Sequence, residues 1–258
     1  MATALITGAS RGIGKELAKI HASHGGDLIL IARNEGDLLT LKNELLARWP
    51  IRVEVIVADL SSTQAVNEAY QSVKQLNMSV DYLINNAGFG GYGPFYQRQF
   101  EQDREMVMVN ILALTQLTHC FLPEMIVKGS GKILNVSSTA SFLPGPLQAT
   151  YYATKAYVTS LSEAIAQEVA GSGVTVTALC PGPVDTDFVK RGGLQGVKAW
   201  GMAKSAPHTA SVGYQAMLNG KRIAFDNKGL GALLTWIVPL LPRRWVSYFS
   251  QKTMERRL

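Results

Sequence analysis

The 258-residue chain is 47% hydrophobic and carries 25 Lys and Arg against 19 Asp and Glu, which gives a formal net charge of +6. A chain of this length and apolar content can bury a large core, and this excludes an intrinsically disordered protein. The mild positive charge suits an anionic ligand or surface. Because no Lys/Arg tract with interleaved aromatic residues occurs, we expect no nucleic acid partner.

The cysteines, the histidines and the most apolar segments of the sequence predict a cytoplasmic protein. Cys120 and Cys180 lie far apart in apolar sequence, which is typical of buried free thiols in a reducing compartment. The histidines lack the neighbouring ligands of a metal site, so we expect no metal. The strand-like run from Ala2 to Thr7 leaves no room for a leader, and the most apolar stretch, 233–241, is too short to span a bilayer.

Short β-branched runs alternate with longer helical patterns along most of the chain, which is typical of βαβ units and a parallel sheet. The predicted strands are 3–7, 27–32, 52–58, 82–85, 132–136, 174–179 and 222–225. The predicted helices are 12–24, 35–48, 62–77, 99–128, 149–170 and 207–219. We therefore predict one α/β domain over 1–258. It is a Rossmann-type, doubly wound parallel sheet of about seven strands with helices on both faces, and it binds its ligand at the carboxyl ends of the strands.

The first predicted strand leads into a glycine-rich turn that reads Thr7-Gly-Ala-Ser-Arg-Gly-Ile-Gly14. Its glycines let the backbone turn sharply and approach a pyrophosphate, while the next helix offers unpaired amides and a positive dipole end. Because the turn opens a βαβ unit, we predict a dinucleotide site here, with a purely structural turn as the alternative. The predicted contacts are Gly8, Ser10, Arg11, Gly12, Ile13 and Gly14.

The second predicted strand ends in Ala32-Arg33-Asn34, without the carboxylate that usually meets a free ribose 2′-hydroxyl. Arg33, together with Arg11 from the glycine turn, can instead bracket a 2′-phosphate through forked, charge-assisted hydrogen bonds. This pattern predicts NADP(H) rather than NAD(H) as the cofactor. Two ordinary surface arginines are the alternative interpretation.

Polar residues also follow the next three predicted strands. Asp59, beside Leu60, can accept a hydrogen bond from the adenine amino group, or it can cap the following helix. The fourth strand ends in Asn85-Asn86-Ala87-Gly88, small residues and amides that suit a close approach to the cofactor, although a simple turn has the same composition. Ser138 places a hydroxyl at the carboxyl end of the fifth strand, where a reacting carbonyl oxygen is expected.

Tyr151 and Lys155 lie four positions apart in a predicted helix, so their side chains share one face. A nearby positive charge favours a phenolate, and Lys155 is therefore expected to lower the pKa of Tyr151 toward the range of proton exchange. Tyr152 faces roughly 100° away around the helix and is interpreted as a packing residue. Alone, the spacing is more typical of an ordinary amphipathic helix with a tyrosine in the core and a solvated lysine.

The glycine turn, Asn85–Gly88, Ser138, Tyr151-x-x-x-Lys155 and Pro181-Gly182 occur together in an order and spacing that resemble the short-chain dehydrogenase/reductase family. The resemblance spans residues 3 to about 190. It implies that Asn110 completes a tetrad with Ser138, Tyr151 and Lys155 by supporting a water that relays protons. It also implies that the loop after the sixth strand contacts the nicotinamide end through Pro181, Gly182, Val184 and Thr186.

The roles that the resemblance implies are those of a carbonyl reductase or alcohol dehydrogenase. Ser138 holds the substrate carbonyl oxygen, Tyr151 donates the proton, and hydride comes from the nicotinamide C4, while Lys155 contacts the nicotinamide ribose. An arginine at position 33 also occurs in NADP-dependent members. A non-catalytic NADP(H)-binding sensor or scaffold is the alternative. The resemblance further implies a homodimer or homotetramer formed through the helices at 99–128 and 149–170.

Two regions near the C-terminus are expected to determine the substrate. Residues 187–207 mix glycines with large apolar residues, which fits a lid over an apolar substrate and also fits a disordered surface loop. Residues 229–258 form a helical extension, whose last part, 243–258, has five Lys/Arg against one Glu.

Three interpretations of this extension are open: it packs on its own domain or a partner subunit, lies peripherally on a membrane surface, or covers the substrate mouth. The arrangement resembles the 3-ketoacyl-CoA reductase and 17β-hydroxysteroid dehydrogenase branch of the family. That branch implies a bulky apolar ketone, 3-oxoacyl or steroid-like substrate.

Overall fold

The computed structural model describes residues 1–256, so residues 257 and 258 of the predicted extension lie outside the described part of the chain. The strands β1 to β9 are Thr3–Thr7, Asp27–Ala32, Val53–Val57, Tyr82–Asn85, Gly131–Val136, Val174–Leu179, Val184–Asp185, Lys204–Ser205 and Ile223–Ala224. The helices α1 to α10 are Gly12–Ser23, Glu35–Leu46, Thr63–Gln75, Phe100–Val107, Leu114–Lys128, Ala149–Glu168, Phe188–Arg191, Ala206–Leu218, Lys228–Ala232 and Arg243–Met254.

Seven strands form one parallel sheet in the order β3-β2-β1-β4-β5-β6-β9, which confirms the predicted doubly wound architecture. The strand order reverses between β1 and β4, and this is where such sheets bind ligands. Neighbouring residues of β1 point to opposite faces. Ile6 packs in the cluster formed with α1, α2 and α8, whereas Leu5 packs with α3, α5 and α6. Both faces of the sheet are therefore covered by helices.

The long predicted helix over 99–128 is interrupted by a π-helical turn, Met108–Ala113, between α4 and α5. By length and composition alone this stretch resembles a membrane span. Its residues Leu117, Phe121 and Met125 instead lie in the core below the sheet, as expected for a central helix of a doubly wound fold. The predicted strand at 222–225 is shorter than expected and pairs only at Ile223 and Ala224.

The predicted lid region, 187–207, contains α7, a 3₁₀ turn at Lys198–Met202 and the strand β8, which pairs with β7. Its residues Leu194 and Val197 are buried together with Met254 of α10. Backbone hydrogen bonds fasten the same contact, since the Lys198 amide donates to Glu255 at 3.0 Å. The last described residues of the chain therefore hold the lid region in place.

The predicted extension packs on its own domain. Leu234, Val246 and Met254 are buried, and the Tyr92 hydroxyl donates to the Met254 carbonyl at 3.0 Å. A segment of 3₁₀ and π turns, 233–240, connects α9 to α10. Of the interpretations left open by the sequence, this arrangement matches packing on its own domain.

Candidate active site

A cavity of about 920 Å³ lies at the carboxyl ends of the strands, where the sequence predicted the ligand site. Most of the predicted site residues line it. They are Gly8, Ser10, Arg11, Gly12, Ile13, Arg33, Asp59, Leu60, Asn86, Ala87, Gly88, Ser138, Tyr151, Lys155, Pro181, Gly182, Val184 and Thr186. The two other predicted site residues, Gly14 and Asn110, are packed next to the cavity rather than lining it.

The glycine turn has a backbone that larger residues cannot form. Gly8 and Gly12 have φ values of +63° and +53°, in the left-handed region that favours glycine. A Cβ added to Gly14 would overlap the Gly8 carbonyl oxygen and the Asn86 side chain. Asn86 in turn donates through Nδ2 to the carbonyls of Thr7 at 3.0 Å and Gly8 at 3.1 Å. The glycine turn, which we call the glycine cradle, is thus held by hydrogen bonds from Asn86 at the end of β4. Its backbone fits a dinucleotide pyrophosphate at the start of α1.

The two arginines of the predicted 2′-phosphate site are in different situations. Arg33 is exposed at the end of β2, and its nearest acidic partner, Asp59, is 3.9 Å away. Arg11 pairs with Asp37 at 2.7 Å and with Asp187 at 3.0 Å, and these carboxylates raise its pKa. In the ligand-free protein these two carboxylates occupy the Arg11 guanidinium group. The expectation that Arg11 and Arg33 together bracket a 2′-phosphate stays a prediction.

The alternative interpretation of Asp59, that it caps the helix α3, is wrong. The N-cap of α3 is Ser62, whose hydroxyl accepts from the Ala65 amide at 3.1 Å. Asp59 Oδ1 accepts only from the Ser61 amide, at 3.1 Å, and the side chain otherwise lines the cavity. Asp59 consequently stays a candidate for adenine contact, which is the other interpretation that the sequence left open.

Ser138 and Tyr151 converge in the cavity from different elements. Ser138 follows β5, where its Oγ accepts from the Ala140 amide at 3.1 Å and donates to the Pro181 carbonyl at a long 3.4 Å. Tyr151 lies in the first turns of α6 and is 9% exposed. Burial raises the pKa of the Tyr151 phenol, and a hydrogen bond with Ser138 lowers that pKa in part. The phenol is therefore protonated at neutral pH.

Lys155 is one turn further along α6 and is 5% exposed. Its ammonium donates to the Val136 carbonyl at 2.7 Å and lies 5.8 Å from the centroid of the Tyr151 ring. Burial lowers the pKa of Lys155 to about 8. The expectation that Lys155 lowers the pKa of Tyr151 is not met in the ligand-free protein, because burial outweighs every other influence on the phenol. The Lys155 ammonium lies next to the Val136 carbonyl and the Tyr151 ring.

Asn110 lies in the π-helical turn and is 1% exposed. Its Oδ1 accepts from the Phe89 amide at 3.1 Å, and its Nδ2 donates to the Phe89 carbonyl and to Thr154 Oγ1, each at 3.0 Å. The side chain therefore fixes the segment after β4 against α6. The role in a proton relay that the family resemblance implied stays a prediction.

Several cavity residues were not among the predicted site residues, although Phe188 and Trp200 lie in the predicted lid region and Tyr152 directly follows Tyr151. Phe188 of α7 lies 5.4 Å from the Tyr151 ring and stacks on Trp200 at 6.4 Å between ring centroids. Tyr152, read as a packing residue, also lines the cavity, and so does Met254. The other apolar residues at this end are Leu143, Leu230 and Leu234. The glycine and aromatic content of the lid region was a signal for Phe188 and Trp200, but nothing local marked Met254.

Neither the thiols nor the histidines add chemistry to the site. Cys120 and Cys180 are both unoxidised, as predicted, although only Cys180 is fully buried, and burial raises its pKa to about 11. His21 is hydrogen-bonded to the Tyr214 hydroxyl at 2.9 Å and to the Ala2 carbonyl at 3.0 Å. Within residues 1–256 no group of three His, Cys, Asp or Glu side chains is placed to hold a metal ion.

A glycine cradle at the switch point of a parallel sheet, with a buried tyrosine and lysine beside it, defines a nicotinamide-dependent oxidoreductase of the Rossmann type. The model of the short chain dehydrogenase family matches residues 2–194. The chain therefore belongs to the short-chain dehydrogenase/reductase family, as the sequence motifs predicted.

Three relatives illustrate the range of the family around this chain. Oxidoreductase UcpA of Salmonella typhimurium is 37% identical over 190 residues, which cover 73% of this chain and 71% of the relative. The human protein named inactive hydroxysteroid dehydrogenase-like protein 1 is 34% identical over 189 residues, covering 72% of this chain and 56% of the relative. A short-chain dehydrogenase from Sphingobium yanoikuyae, solved in complex with NADPH, superposes with a TM-score of 0.82 at 28% identity, covering 94% and 96% of the two chains.

Proposed function

We propose that the protein is an NADPH-dependent carbonyl reductase, or equivalently an alcohol dehydrogenase, that acts on an apolar ketone. One observation carries the proposal: Ser138, Tyr151 and Lys155 line the same cavity as the glycine cradle. A hydroxyl donor, a protonated phenol and an ammonium beside a dinucleotide site are the groups that carbonyl reduction needs.

Each of these residues has a specific task in the proposed reaction. The bond that the Ser138 hydroxyl donates to the Pro181 carbonyl is long, at 3.4 Å, so the hydroxyl can rotate to donate to a substrate oxygen instead. Tyr151 keeps its proton at neutral pH because burial raises its pKa, and it donates that proton to the oxygen that becomes the alcohol. Lys155 places a positive charge beside the developing phenolate and stabilises it. The nicotinamide dinucleotide, when bound, supplies the hydride.

The preference for NADPH rests on Arg33 alone, since Arg11 is held by carboxylates. Arg33 is 60% exposed and has its nearest acid at 3.9 Å, so its guanidinium is available for a 2′-phosphate. The relative solved with NADPH supports the same choice. The Arg33→Ala substitution is expected to lower kcat/KM for NADPH by about 10- to 100-fold and to leave that for NADH nearly unchanged.

The matched control for this test is Arg48→Ala, because Arg48 is also 60% exposed and also has an acid, Glu44, at 3.9 Å, but lies at the far end of α2 and does not line the cavity. Arg48→Ala is expected to leave both cofactor constants unchanged. A wild-type protein that prefers NADH would contradict the proposed cofactor, and equal losses for the two cofactors would remove Arg33 from the 2′-phosphate site.

The substrate class follows from the wall opposite the glycine cradle. Phe188, Trp200, Leu234 and Met254 give this end an apolar, aromatic surface, which suits a bulky ketone of the 3-oxoacyl or steroid-like kind. The lid role of residues 187–207 belongs to the same proposal. Monitoring NADPH absorbance across a panel of small, acyl and polycyclic ketones tests it, and turnover of small polar ketones only would contradict it.

A second candidate function is a non-catalytic NADP(H)-binding sensor or scaffold, which the human relative named inactive favours. Tight NADPH binding by calorimetry, combined with no turnover on the ketone panel, would select it.

As a further part of the proposal, we expect a cytoplasmic homodimer or homotetramer built on the helices α4 to α6, where Leu112, Ile126 and Tyr157 are exposed. Sedimentation equilibrium measures that state.

A further inference from the structure

The C-terminal region presents a set of large apolar side chains to solvent, which we call the outer aromatic face. On α10, Trp245, Tyr248 and Phe249 are spaced so that they share one side of the helix. The turns before α10 add two more exposed residues, Trp236 and Leu240. The outer aromatic face consists of Trp236, Leu240, Trp245, Tyr248 and Phe249, which are 75%, 84%, 52%, 57% and 60% exposed.

This exposure does not result from a loosely packed extension. On the opposite side of the same elements, Leu234, Val246 and Met254 are 3%, 4% and 1% exposed. Leu234 and Met254 also line the active-site cavity. The extension therefore has one face that completes the enzyme and a second face whose apolar area contributes nothing to covering the cavity. Such an exposed patch on a soluble domain indicates an interaction surface.

The charges around the outer aromatic face are almost all positive. The described part of the extension carries the positively charged residues Arg243, Arg244, Lys252 and Arg256. Its single acid, Glu255, is neutralised by Lys252 at 3.0 Å and by Lys198 at 3.2 Å. Among residues 1–256, no acidic side chain forms an ion pair with Arg243 or Arg244. The surface that would meet a partner is therefore both aromatic and cationic.

Two occupants have the apolar surface to cover this face, namely a second copy of the chain and a lipid bilayer. A two-fold contact through this face would bring two cationic surfaces together, and like charges in contact oppose association. An anionic bilayer instead complements the arginines, and tryptophan and tyrosine side chains favour the boundary between headgroups and acyl chains. We propose that the outer aromatic face docks the protein peripherally on an anionic lipid surface.

This docking does not depend on the proposed function, and its test needs no turnover. Full-length protein is centrifuged with vesicles of phosphatidylcholine alone or of phosphatidylcholine mixed with phosphatidylglycerol. The expected result is co-sedimentation with the mixed vesicles. Trp245→Ser/Phe249→Ser is expected to abolish it, and Arg243→Glu/Arg244→Glu to weaken it by about tenfold or more.

Matched controls lie at the amino ends of the strands. Lys221→Glu/Arg222→Glu changes the charge by the same amount at two adjacent exposed residues that precede β9. Val127→Ser removes an apolar side chain that is 90% exposed near the end of α5, where Lys128 contacts Asp81. Both controls are expected to bind the mixed vesicles like the wild type, because neither position is on the outer aromatic face.

Quenching of tryptophan fluorescence by brominated phosphatidylcholine in the mixed vesicles, measured on the unmutated protein, tests insertion without any risk of misfolding. Strong quenching is expected, since Trp236 and Trp245 lie on the docking face. Three results would overturn the proposal: wild-type protein that stays in the supernatant unquenched, a control that loses binding as much as Arg243→Glu/Arg244→Glu, or lipid-independent self-association that Trp245→Ser/Phe249→Ser abolishes.

Discussion

The cofactor end and the substrate end of the cavity differ in how the chain forms them. At the cofactor end, the contacts come from turns that directly follow β1, β2 and β4, so the sheet itself fixes their positions. At the proposed substrate end, the wall combines residues 187–207 with α10, two segments that only tertiary packing brings together. The family model covers the first set and ends at residue 194.

This difference explains why chemistry and specificity can vary separately in such a fold. Side chains at the ends of sheet strands are held by a core of buried neighbours, and a change there disturbs the whole domain. Segments such as 187–202 and 243–256 contact one another mainly through Leu194, Val197 and Met254. They do not belong to the sheet, although Phe188 packs on Tyr151 and Asp187 pairs with Arg11 of the glycine turn. The following predictions test this separation.

The largest effect is expected at the phenol. Tyr151→Phe removes the proton donor while keeping the ring that packs on Phe188, so kcat should fall by about 10² to 10⁴-fold with the fold intact. Initial rates of NADPH oxidation with a ketone substrate measure this loss. Tyr152→Phe is the matched control and should retain most of the turnover, because Tyr152 faces α10. Comparable rates for Tyr151→Phe and wild type would refute the assigned proton donor.

The substrate end is tested by Met254→Ala, with Met125→Ala as the matched core variant, since each methionine is 1% exposed. Both substitutions should lower the free energy of unfolding by about 2 to 5 kcal/mol. Only Met254→Ala should raise KM for the best ketone, by roughly tenfold, because Met254 lines the cavity and Met125 packs under the sheet. Denaturant melts and steady-state kinetics separate the two effects. Equal KM values in both variants would remove Met254 from the substrate wall.

A third prediction concerns the burial of the Lys155 ammonium. Burial lowers its pKa to about 8 in the folded, ligand-free protein, from the ordinary lysine value of 10.5. The unfolded chain therefore binds more protons than the folded chain between these values, and this part of the stability grows as pH rises through that window. Lys155→Met removes the buried charge, so it should be inactive yet more stable at pH 7 by about 1 to 3 kcal/mol.

The measurement is urea unfolding of both ligand-free proteins from pH 7 to pH 9.5, below the range in which tyrosines titrate. The stability advantage of Lys155→Met should shrink as pH rises above 8, because the wild-type lysine then loses its proton in the folded state. Parallel stability profiles across this range would show that Lys155 titrates like an exposed lysine and would contradict its burial.

The smallest effect is expected in the glycine cradle. In Gly14→Ala the new methyl group overlaps the Gly8 carbonyl oxygen, and the forced shift should cost about 1 to 3 kcal/mol and weaken NADPH binding. Gly36→Ala is the matched control in α2, where the added methyl finds only Asn34 Oδ1, at 3.4 Å. It should stabilise the protein by about 0.4 to 1 kcal/mol. Thermal melts and NADPH titrations check both, and a neutral Gly14→Ala would contradict the tight packing of the turn.

The sheet and most of the chemical groups could be predicted from sequence because their signals are local. Alternating β-branched and helical runs located all seven strands of the main sheet, and the residues just after the strands, such as Gly8 and Ser138, fell at the carboxyl edge. The four-residue spacing of Tyr151 and Lys155 was sufficient because both lie in one helix, α6. Patterns of this kind depend only on the repeat of the backbone.

Properties that depend on residues far apart in the sequence could be found only from the tertiary structure. Arg11 is held by Asp187, 176 residues away along the chain, so no spacing rule could show that its guanidinium is occupied. The pKa values of Tyr151 and Lys155 depend on desolvation, which in turn depends on how the whole cavity closes.

The sequence by itself determined the architecture, the family and the reactive groups, since strand alternation and motif spacing are properties of short segments. Only the tertiary structure decided that Met254 lines the cavity and that the extension turns Trp245 outward. The physical reason is that burial and exposure are shared among segments remote in sequence, and packing alone settles which side chain each segment presents to the cavity.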